Sequence, residues 1–217
     1  MENLSDSLKY QQWKAQLDKH GIDFRGFEEL KTIRKRNGDV LFALLKIDAA
    51  APNGEPLLPI TLLRGHFVGV LVCLVEQESG VEYFLMVRQR RVATGGLMLE
   101  HPAGMVDNTR DPFDVALAEV REETGLEIKR EQLALLSERV LYSSPGLIDE
   151  GGYFFGTEIH LSRAEIDALR NNSQGHGNEG EFIQTAVLTR EEAMAESNVA
   201  NALLHFYLWD EWKRKNG

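Results

Sequence analysis

The feature that most constrains this fold is a short helix with a well-defined start and end, within residues 100–126. Asp111 is a favourable N-cap, Pro112 suits the first helical position, and Gly125 supplies the left-handed residue at which many helices end. The pattern therefore predicts a helix over residues 112–124. The residues predicted to form its core-facing side are Phe113, Ala116, Leu117, Val120 and Thr124.

Three glutamates occupy another side of the same helix. Glu119, Glu122 and Glu123 are spaced i, i+3 and i+4, so their side chains point in the same direction. Like-charged neighbours destabilise an isolated helix by about 0.2–0.5 kcal/mol per pair, and a divalent cation would reverse that effect. Mg²⁺ prefers hard oxygen ligands and retains several waters. The spacing predicts a Mg²⁺ site, with Mn²⁺ as the alternative cation; a solvated acidic helix surface is the competing interpretation.

Composition indicates a globular enzyme rather than a nucleic-acid-binding or membrane protein. The chain has 217 residues, of which 43% are hydrophobic and 27% charged, and its net charge of −10 disfavours a phosphate-binding surface of the kind that holds nucleic acid. The single cysteine, Cys73, lies in the apolar run VGVLVCLV and is predicted to be a buried strand residue. No apolar run reaches transmembrane length, and the N-terminus lacks the pattern of a signal peptide. A cytoplasmic protein is expected.

The chain is predicted to contain a small N-terminal subdomain, residues 1–64, followed by a larger domain, residues 65–217. In the first part, residues 7–19 read as a helix, and residues 40–49 and 57–63 as strands. The strands predicted in the second part are residues 67–76, 83–90, 98–101, 133–141, 152–160 and 181–188. The later predicted helices are residues 162–171, 189–195 and 198–213, and residues 171–180 read as a loop. These elements predict an α+β fold, with a mixed sheet between helices in an α/β/α sandwich.

The residues around the glutamate helix resemble the Nudix box, the loop–helix–loop signature of the Nudix hydrolases. Gly104 matches its leading glycine, Glu119 the glutamate of its Arg-Glu pair, and Gly125 its closing glycine. Glu122 and Glu123 match its paired glutamates. The resemblance implies the Nudix-type sandwich, and it implies that the three glutamates are both metal ligands and catalytic groups.

Two positions depart from that pattern. Arg110 stands where the family usually has a glutamate, and Ala118 stands where it usually has the arginine that orients the first ligand. Arg121 and Arg110 are the candidates to substitute for that arginine.

Shorter motifs resemble the ADP-sugar pyrophosphatase branch of the family. They are Glu100-His101-Pro102-Ala103-Gly104, Val87-Arg88-Gln89-Arg90, Ser144-Pro145-Gly146 and Glu181-Phe182-Ile183. The N-terminal part, with Gln12-Trp13 and Leu62-Leu63-Arg64-Gly65, is similar to plant ADP-glucose pyrophosphatase-like members. This resemblance implies hydrolysis of a nucleoside-diphosphate sugar of the ADP-ribose or ADP-glucose type. It also implies a homodimer in which the N-terminal sheet forms contacts and the partner chain lines the site.

The resemblance assigns roles to individual residues outside the helix. The carbonyl of Ala103 is expected to be a further metal ligand, although a purely turn-shaping role for its neighbours is the alternative. Arg88 and Arg90 lie two apart on a strand, so they share one face and are expected to grip a diphosphate. A solvated sheet edge would show the same pattern. Ser144 and Gly146 are expected to contact substrate.

Glu150 is the candidate general base because relatives of this branch take that base from a loop after the Ser-Pro-Gly turn. Asp149 is its rival, and an inert acidic loop is the third interpretation. Neither His66 nor His101 has metal-ligand spacing, and each is either an ordinary hydrogen-bonded histidine or a substrate contact. At the level of the whole protein, two alternatives stay open. One is a Nudix enzyme for a dinucleotide or a noncanonical nucleoside triphosphate, and the other is a nucleotide-sugar-binding regulator without turnover.

Overall fold

The computed structural model of the chain describes residues 3–107, 111–170, 173–176 and 181–216, and these form two compact units. The first unit comprises residues 3–67, 105–107 and 140–152. The second unit comprises residues 68–104, 111–139, 153–170, 173–176 and 181–216. The first unit is therefore discontinuous, and it contains all the described residues of the predicted 1–64 subdomain together with two later segments.

The first four helices of the described residues each begin directly after a capping serine, aspartate or threonine. The helix bounds are α1 Leu8–Lys19, α2 Pro112–Thr124, α3 Arg163–Ala168, α4 Arg190–Glu196 and α5 Ala200–Asn216. Ser162 and Thr189 each form a capping box with the glutamate three residues later, as their sequence pattern predicts. None of the helices in the described residues combines the length and apolar character needed to cross a membrane.

The strands of the described residues are bounded as follows: β1 Asp23–Arg34, β2 Val40–Ala50, β3 Ile60–Leu63, β4 Phe67–Glu76, β5 Glu82–Arg90, β6 Leu97–Glu100, β7 Ala103–Met105, β8 Ala134–Leu135, β9 Leu141–Tyr142, β10 Gly151–Leu161, β11 Ser173–His176 and β12 Glu181–Leu188.

The first unit contains a three-stranded antiparallel sheet in the order β1-β2-β3. Its apolar core comes from the sheet, from α1 and from the turn that precedes α1, and consists of Leu4, Tyr10, Val40, Ala43, Leu45 and Leu63. The small N-terminal sheet predicted from the sequence is confirmed. Strand β1 escaped prediction because its sequence, DFRGFEELKTIR, is rich in charge and lacks a regular apolar alternation.

The second unit is built on a larger mixed sheet with the order β11-β12-β5-β4-β10-β8. Strand β6 pairs with β5, and β7 pairs with β4. Strand β4 is buried over all but its last residue, which explains its continuous apolar run: a strand covered on both faces needs no polar alternation.

Helices cover both faces of this sheet. Consecutive strand residues point to opposite faces, and Phe154 packs on His205 of α5, whereas Phe155 packs on Phe113 of α2; both ring pairs have centroids 4.7 Å apart. The predicted α/β/α sandwich is confirmed. The core on the α5 side is formed by Leu71, Cys73, Val75, Phe84, Met86, Leu99, Ala186, Ala193, Ala202, Phe206 and Trp209.

Three local predictions were wrong. Residues 133–141 form only the short strand β8 and the first residue of β9, and β3 begins at Ile60 rather than residue 57. Within the stretch read as a loop, residues 173–176 form β11 because their backbone pairs with β12. Such pairing supplies strand structure to residues with weak intrinsic preference.

Candidate metal and substrate site

Helix α2, which carries the three glutamates, has a defined cap at each end. Asp111 accepts a hydrogen bond from the Phe113 N–H at 3.0 Å, and Gly125 ends the helix with φ at 74°. On the core side, Ala116, Val120 and Thr124 are buried as predicted, and Phe113 and Leu117 are half-buried. The helix can therefore rotate little about its axis, which fixes the side on which the glutamates emerge.

The Ala103–Gly104 backbone lies directly against two of those glutamates. The N–H of Ala103 donates a hydrogen bond to Oε2 of Glu123 at 3.1 Å. A Cβ added at Gly104 would overlap the carboxylate of Glu119, so only glycine lets the chain pass this close. The turn itself is held by β4, since the Val70 N–H donates to the Pro102 carbonyl at 2.9 Å. The structure thus brings Ala103, Glu119 and Glu123 together.

The donor chemistry of this cluster fits a hard divalent cation. Glu123 is only 9% exposed and Glu119 is half-buried, so their carboxylates present oxygen ligands at a partly desolvated edge. Glu122 lies further out, with a side chain 42% exposed and 3.8 Å from the Arg121 guanidinium. The oxygens of all three glutamates do not converge within 4.8 Å. Mg²⁺ is commonly held by one or two carboxylates plus substrate phosphates, so full convergence is not required.

A different group does converge within the described residues but is poorly suited to a cation. Ligand atoms of Cys73, Glu82 and Glu158 lie within 4.8 Å of one another. Burial raises the pKa of the Cys73 thiol to about 12, so it stays protonated at neutral pH, and Lys213 already pairs with Glu158. We assign no metal to this group.

The two strand arginines share a face of β5 but differ in surroundings. Arg88 makes a forked ion pair with Glu196 at 2.6 and 2.7 Å, and this hydrogen bonding raises the pKa of Arg88. Arg90 is exposed and donates from Nη1 to the Gly95 carbonyl at 3.1 Å. Arg88 therefore offers a fork of the geometry that a diphosphate needs, but it must exchange Glu196 for that ligand.

Asp149 stabilises a backbone turn in the first unit. Its Oδ1 accepts hydrogen bonds from the N–H groups of Arg64 and Gly65, at 2.6 and 3.1 Å. Burial raises the pKa of Asp149, and the two N–H groups partly offset that effect. The carboxylate therefore braces the turn after β3.

Glu150 is engaged differently from its neighbour. Its Oε2 lies 2.6 Å from Nε of Arg64, and its side chain is 19% exposed. The preceding turn is short, since the Ser144 carbonyl accepts from the N–H groups of Leu147 and Ile148, and both Ser144 and Gly146 are exposed. Glu150 and this turn belong to the first unit, whereas α2 belongs to the second.

Comparison with known proteins places this arrangement in a family. Residues 65–209 match the family model described as the NUDIX domain. The chain belongs to the Nudix family. It is 28% identical over 225 residues to "Nudix hydrolase 14, chloroplastic" of Arabidopsis thaliana, covering 97% of this chain and 72% of that protein. It is 34% identical over 192 residues to the "ADP-ribose pyrophosphatase" of Haemophilus influenzae, covering 83% and 77% respectively.

A solved structure shares the Nudix fold. The crystal structure titled "ADP compounds hydrolase" superposes with a TM-score of 0.62 at 17% identity, and the match covers 90% of this chain and 96% of that one. At that identity the likeness establishes the architecture alone.

The departures from the Nudix box can be placed in part. Arg110 lies outside the described residues. Ala118 is half-buried on α2, and the nearby Arg121 has a side chain 60% exposed and lies close to Glu122. The carboxylate of Glu119 lies against the Gly104 backbone.

Sequence reasoning missed a buried ion-pair cluster that joins Asp107 to two lysines of the N-terminal part. Asp107 lies 2.9 Å from the ammonium of Lys9 and 2.7 Å from that of Lys35, and Lys9 also donates to the Leu41 carbonyl at 2.8 Å. Lys9 is 3% exposed. A single lysine in an otherwise polar helix carries no signal that it will be buried, because its partners come from distant parts of the chain.

Two further ion-paired carboxylates were also missed. Glu100 makes a forked pair with Arg91 at 2.9 and 3.1 Å, and Glu196 holds Arg88 as described above. His101, in contrast, is a core residue: it is 3% exposed, packs on His205 and Phe206, and burial lowers its pKa to about 3. It is therefore neutral at physiological pH.

Proposed function

We propose that this Nudix protein hydrolyses the diphosphate of a nucleoside-diphosphate sugar, with Mg²⁺, to a nucleoside monophosphate and a sugar phosphate. The observation that carries the proposal is the contact of the Ala103–Gly104 backbone with Glu119 and Glu123, which gathers oxygen ligands at one edge of the second unit. Relatives that match most of this chain include one named ADP-ribose pyrophosphatase, which supports the substrate class.

The cation would be held by Glu119, Glu122, Glu123 and the Ala103 carbonyl. When bound, such an ion neutralises the diphosphate and lowers the pKa of a coordinated water. The family generally uses a divalent metal, and Mg²⁺ suits this set because every donor is oxygen. The hydrogen bond from the Ala103 N–H orients Glu123 before any ligand arrives, which lowers the reorganisation needed on binding.

The diphosphate would be gripped by Arg88 and Arg90. A guanidinium fork binds two phosphate oxygens at once, and Arg88 already uses that geometry with Glu196. Glu196 therefore acts as a stand-in partner that keeps Arg88 oriented until an anionic ligand replaces it.

Glu150 would act as the general base. Arg64 holds its carboxylate through one oxygen at 2.6 Å, which leaves Oε1 to accept a proton from water. That water attacks one phosphorus in line, and the bond to the bridging oxygen breaks without a covalent enzyme intermediate. Ser144 and Gly146, exposed in the preceding turn, would contact the substrate.

The test is a hydrolysis panel with Mg²⁺ over ADP-ribose, ADP-glucose, GDP-mannose, a dinucleotide and nucleoside triphosphates, with product detection by chromatography. We expect the highest kcat/KM on a nucleotide sugar. Glu123→Gln should abolish most turnover, while the matched control Glu127→Gln, at an exposed position after α2, should retain it.

Preference for triphosphates or dinucleotides would overturn the substrate assignment. Binding of nucleotide sugars without turnover in wild type would instead favour a regulatory module. Mn²⁺ in place of Mg²⁺ should support the same ranking of substrates, since both cations take the same oxygen ligands.

We also propose a homodimer that uses the small sheet of the first unit. The outer strand β1 presents an edge of that sheet, whereas Leu62 on β3 already makes backbone hydrogen bonds with Leu147 and Asp149. Exposed leucines lie on or beside the sheet: Leu30, Leu41, Leu57 and Leu58. Light scattering at micromolar concentration should give twice the chain mass of 24.5 kDa; a monomer with full activity would refute the dimer.

A cytoplasmic location is proposed on composition and on the single, buried thiol of Cys73.

A further inference from the structure

Two histidines, His101 and His205, are buried in the second unit and take no part in the proposed chemistry. They are 3% and 2% exposed, and their rings lie edge to face with centroids 4.7 Å apart. Burial lowers the pKa of both side chains, so both rings are neutral at physiological pH. Burying a polar ring costs more free energy than burying an apolar side chain of similar size, so the filling of space does not by itself explain the pair.

His205 is fixed by strand β4. Its Nε2 lies 3.2 Å from the carbonyl oxygen of Gly69, and because a carbonyl only accepts, the neutral ring carries its proton on Nε2 to make this hydrogen bond. A Cβ added at Gly69 would lie 2.7 Å from Cε1 of His205, so only glycine lets the ring approach the strand this closely. The ring also packs on Phe154, with centroids 4.7 Å apart. These contacts restrict both the position and the orientation of the His205 ring.

His101 connects this fixed ring to the turn of residues 101–104. The His101 ring packs directly on His205. The next residue, Pro102, accepts a hydrogen bond through its carbonyl from the Val70 N–H at 2.9 Å, and Val70 directly follows the glycine that His205 contacts. The turn is therefore held to β4 twice, by its own backbone through Val70 and by the His101 side chain through His205.

The same turn carries the backbone groups of the proposed metal site. The Ala103 N–H donates to Oε2 of Glu123 at 3.1 Å, and the Ala103 carbonyl is itself a proposed ligand. A functional site requires its groups to be held within about 0.5 Å of the productive geometry. A displaced turn would move the Ala103 carbonyl and release Glu123 at the same time, so two of the proposed ligands depend on the position of this one segment.

We propose that His101 and His205 are positioning residues, which hold the turn so that the Ala103 carbonyl and Glu123 can bind the same divalent cation. Both histidines act through the turn and not by contact with the cation. The proposal rests on the proposed function for the presence of that cation.

The test uses two glycine variants that make the same steric change at different places. Gly69→Ala would press a Cβ against His205, and the control Gly156→Ala would press one against Trp209, another ring of α5, at 2.6 Å. Both glycines lie in strands of the second unit, β4 and β10. Both variants should lose stability, whereas only Gly69→Ala should disturb the histidine pair.

The first measurement is a titration with Mn²⁺, the alternative cation, followed by the paramagnetic resonance of the free ion. The difference between wild type and Glu123→Gln identifies the binding that belongs to the proposed site. The dissociation constant of that site should rise about tenfold in Gly69→Ala, at the lower end of the range for losing a group that orients a metal ligand. It should stay unchanged in Gly156→Ala.

The second measurement needs neither metal nor substrate. The Ala103 amide is protected by its hydrogen bond to Glu123, and amide hydrogen exchange reports the local opening of such a bond. Exchange at Ala103, followed by NMR below the unfolding range of every variant, should be faster in Gly69→Ala than in wild type. Gly156→Ala should leave it unchanged.

A second pair of variants keeps the proposal testable if Gly69→Ala does not fold. His101→Ala and the control Phe84→Leu each remove a ring that packs on Phe206, with centroids 5.1 and 4.9 Å away. Phe84 lies on β5, outside the turn. His101→Ala should weaken Mn²⁺ binding and speed exchange at Ala103, and Phe84→Leu should do neither.

Wild-type Mn²⁺ affinity and wild-type exchange at Ala103 in the Gly69 and His101 variants would overturn the proposal, because the histidines would then serve packing alone. Equal effects in a variant and its control would overturn it as well. Failure of the proposed function is distinguishable from both results. A wild-type protein that hydrolyses no nucleotide sugar would refute the function, while Mn²⁺ binding and exchange at Ala103 would still decide the role of the histidines.

Discussion

Replacing Asp107 with asparagine should markedly destabilise the protein, because the change removes the counter-charge of a buried lysine. Asp107 is 15% exposed and binds two ammonium groups, and one of these, on Lys9, has a side chain only 4% exposed. Asparagine keeps the size of the side chain but removes its charge. Lys9 would then remain buried without a counter-charge, and its acceptors would be the neutral Leu41 carbonyl and the amide oxygen at position 107.

The expected cost follows from this burial. Leaving one member of a buried pair without its counter-charge typically costs about 3–5 kcal/mol, and the hydrogen bond to Leu41 places the value near the lower end. Lys35 is the more accessible partner, with a side chain 27% exposed, so its pair with Asp107 is expected to contribute less, about 1 kcal/mol. A loss of about 3 kcal/mol should lower Tm by roughly 6–12 °C in a chain of this size.

The measurement is thermal and urea unfolding of Asp107→Asn beside Asp48→Asn, an exposed aspartate 3.5 Å from an arginine. Asp48→Asn should change the free energy of unfolding by less than about 1 kcal/mol. The double variant Lys9→Met/Asp107→Leu should recover most of the loss, because a packed apolar pair replaces the buried charges.

The effect should also depend on pH. Burial opposes ionisation of Asp107, but Lys35 and Lys9 outweigh it, so the pKa of Asp107 lies below its ordinary value of 3.8. A depressed folded-state pKa stabilises the protein above the unfolded pKa, and this stabilisation is lost as the pH falls through the folded value. The gap between wild type and Asp107→Asn should be constant near neutrality and should close below pH 3.8. A gap under about 1 kcal/mol at pH 7 would refute the burial argument.

Two further predictions concern the proposed site. Gly104→Ala should raise the Mg²⁺ concentration needed for half-maximal activity, because the added Cβ displaces the carboxylate of Glu119, a proposed metal ligand. The stability cost should be at most about 1 kcal/mol, because the displaced group is a flexible side chain and not backbone. An unchanged Mg²⁺ titration would contradict this prediction. Glu150→Gln should lower kcat by about 10²–10⁴-fold and be partly rescued at higher pH, whereas Asp149→Asn should chiefly lower stability, since its carboxylate braces two backbone N–H groups. Steady-state kinetics and thermal unfolding of both variants separate the roles, and a larger kcat loss at Asp149 would move the base there.

Much of the secondary structure of the protein can be predicted from short-range sequence patterns. The start and end of α2, the spacing of Glu119, Glu122 and Glu123, and the buried strand β4 all depend on residues a few positions apart. Capping motifs, helical periodicity and apolar runs each involve residues close together in sequence, so they can be recognised without knowledge of the tertiary fold. The predicted α/β/α sandwich follows from those elements in order.

The contacts that shape the site depend on residues far apart in sequence. The bond from Ala103 to Glu123 spans 20 positions, and the pair of Arg88 with Glu196 spans 108. Asp149 reaches back 85 positions to the N–H of Arg64. Nothing in the local pattern of any of these residues selects its partner.

The sequence by itself therefore determined the glutamate helix, its glycine boundaries and the family of folds in which such a helix is found. Tertiary structure alone decided that the Ala103 amide would hold Glu123, that Asp149 would brace a turn while Glu150 faces Arg64, and that Lys9 would be buried. The physical reason is that helix and strand formation is governed by neighbouring residues, whereas ion pairs and close backbone approaches arise only when strand register and packing bring distant segments together.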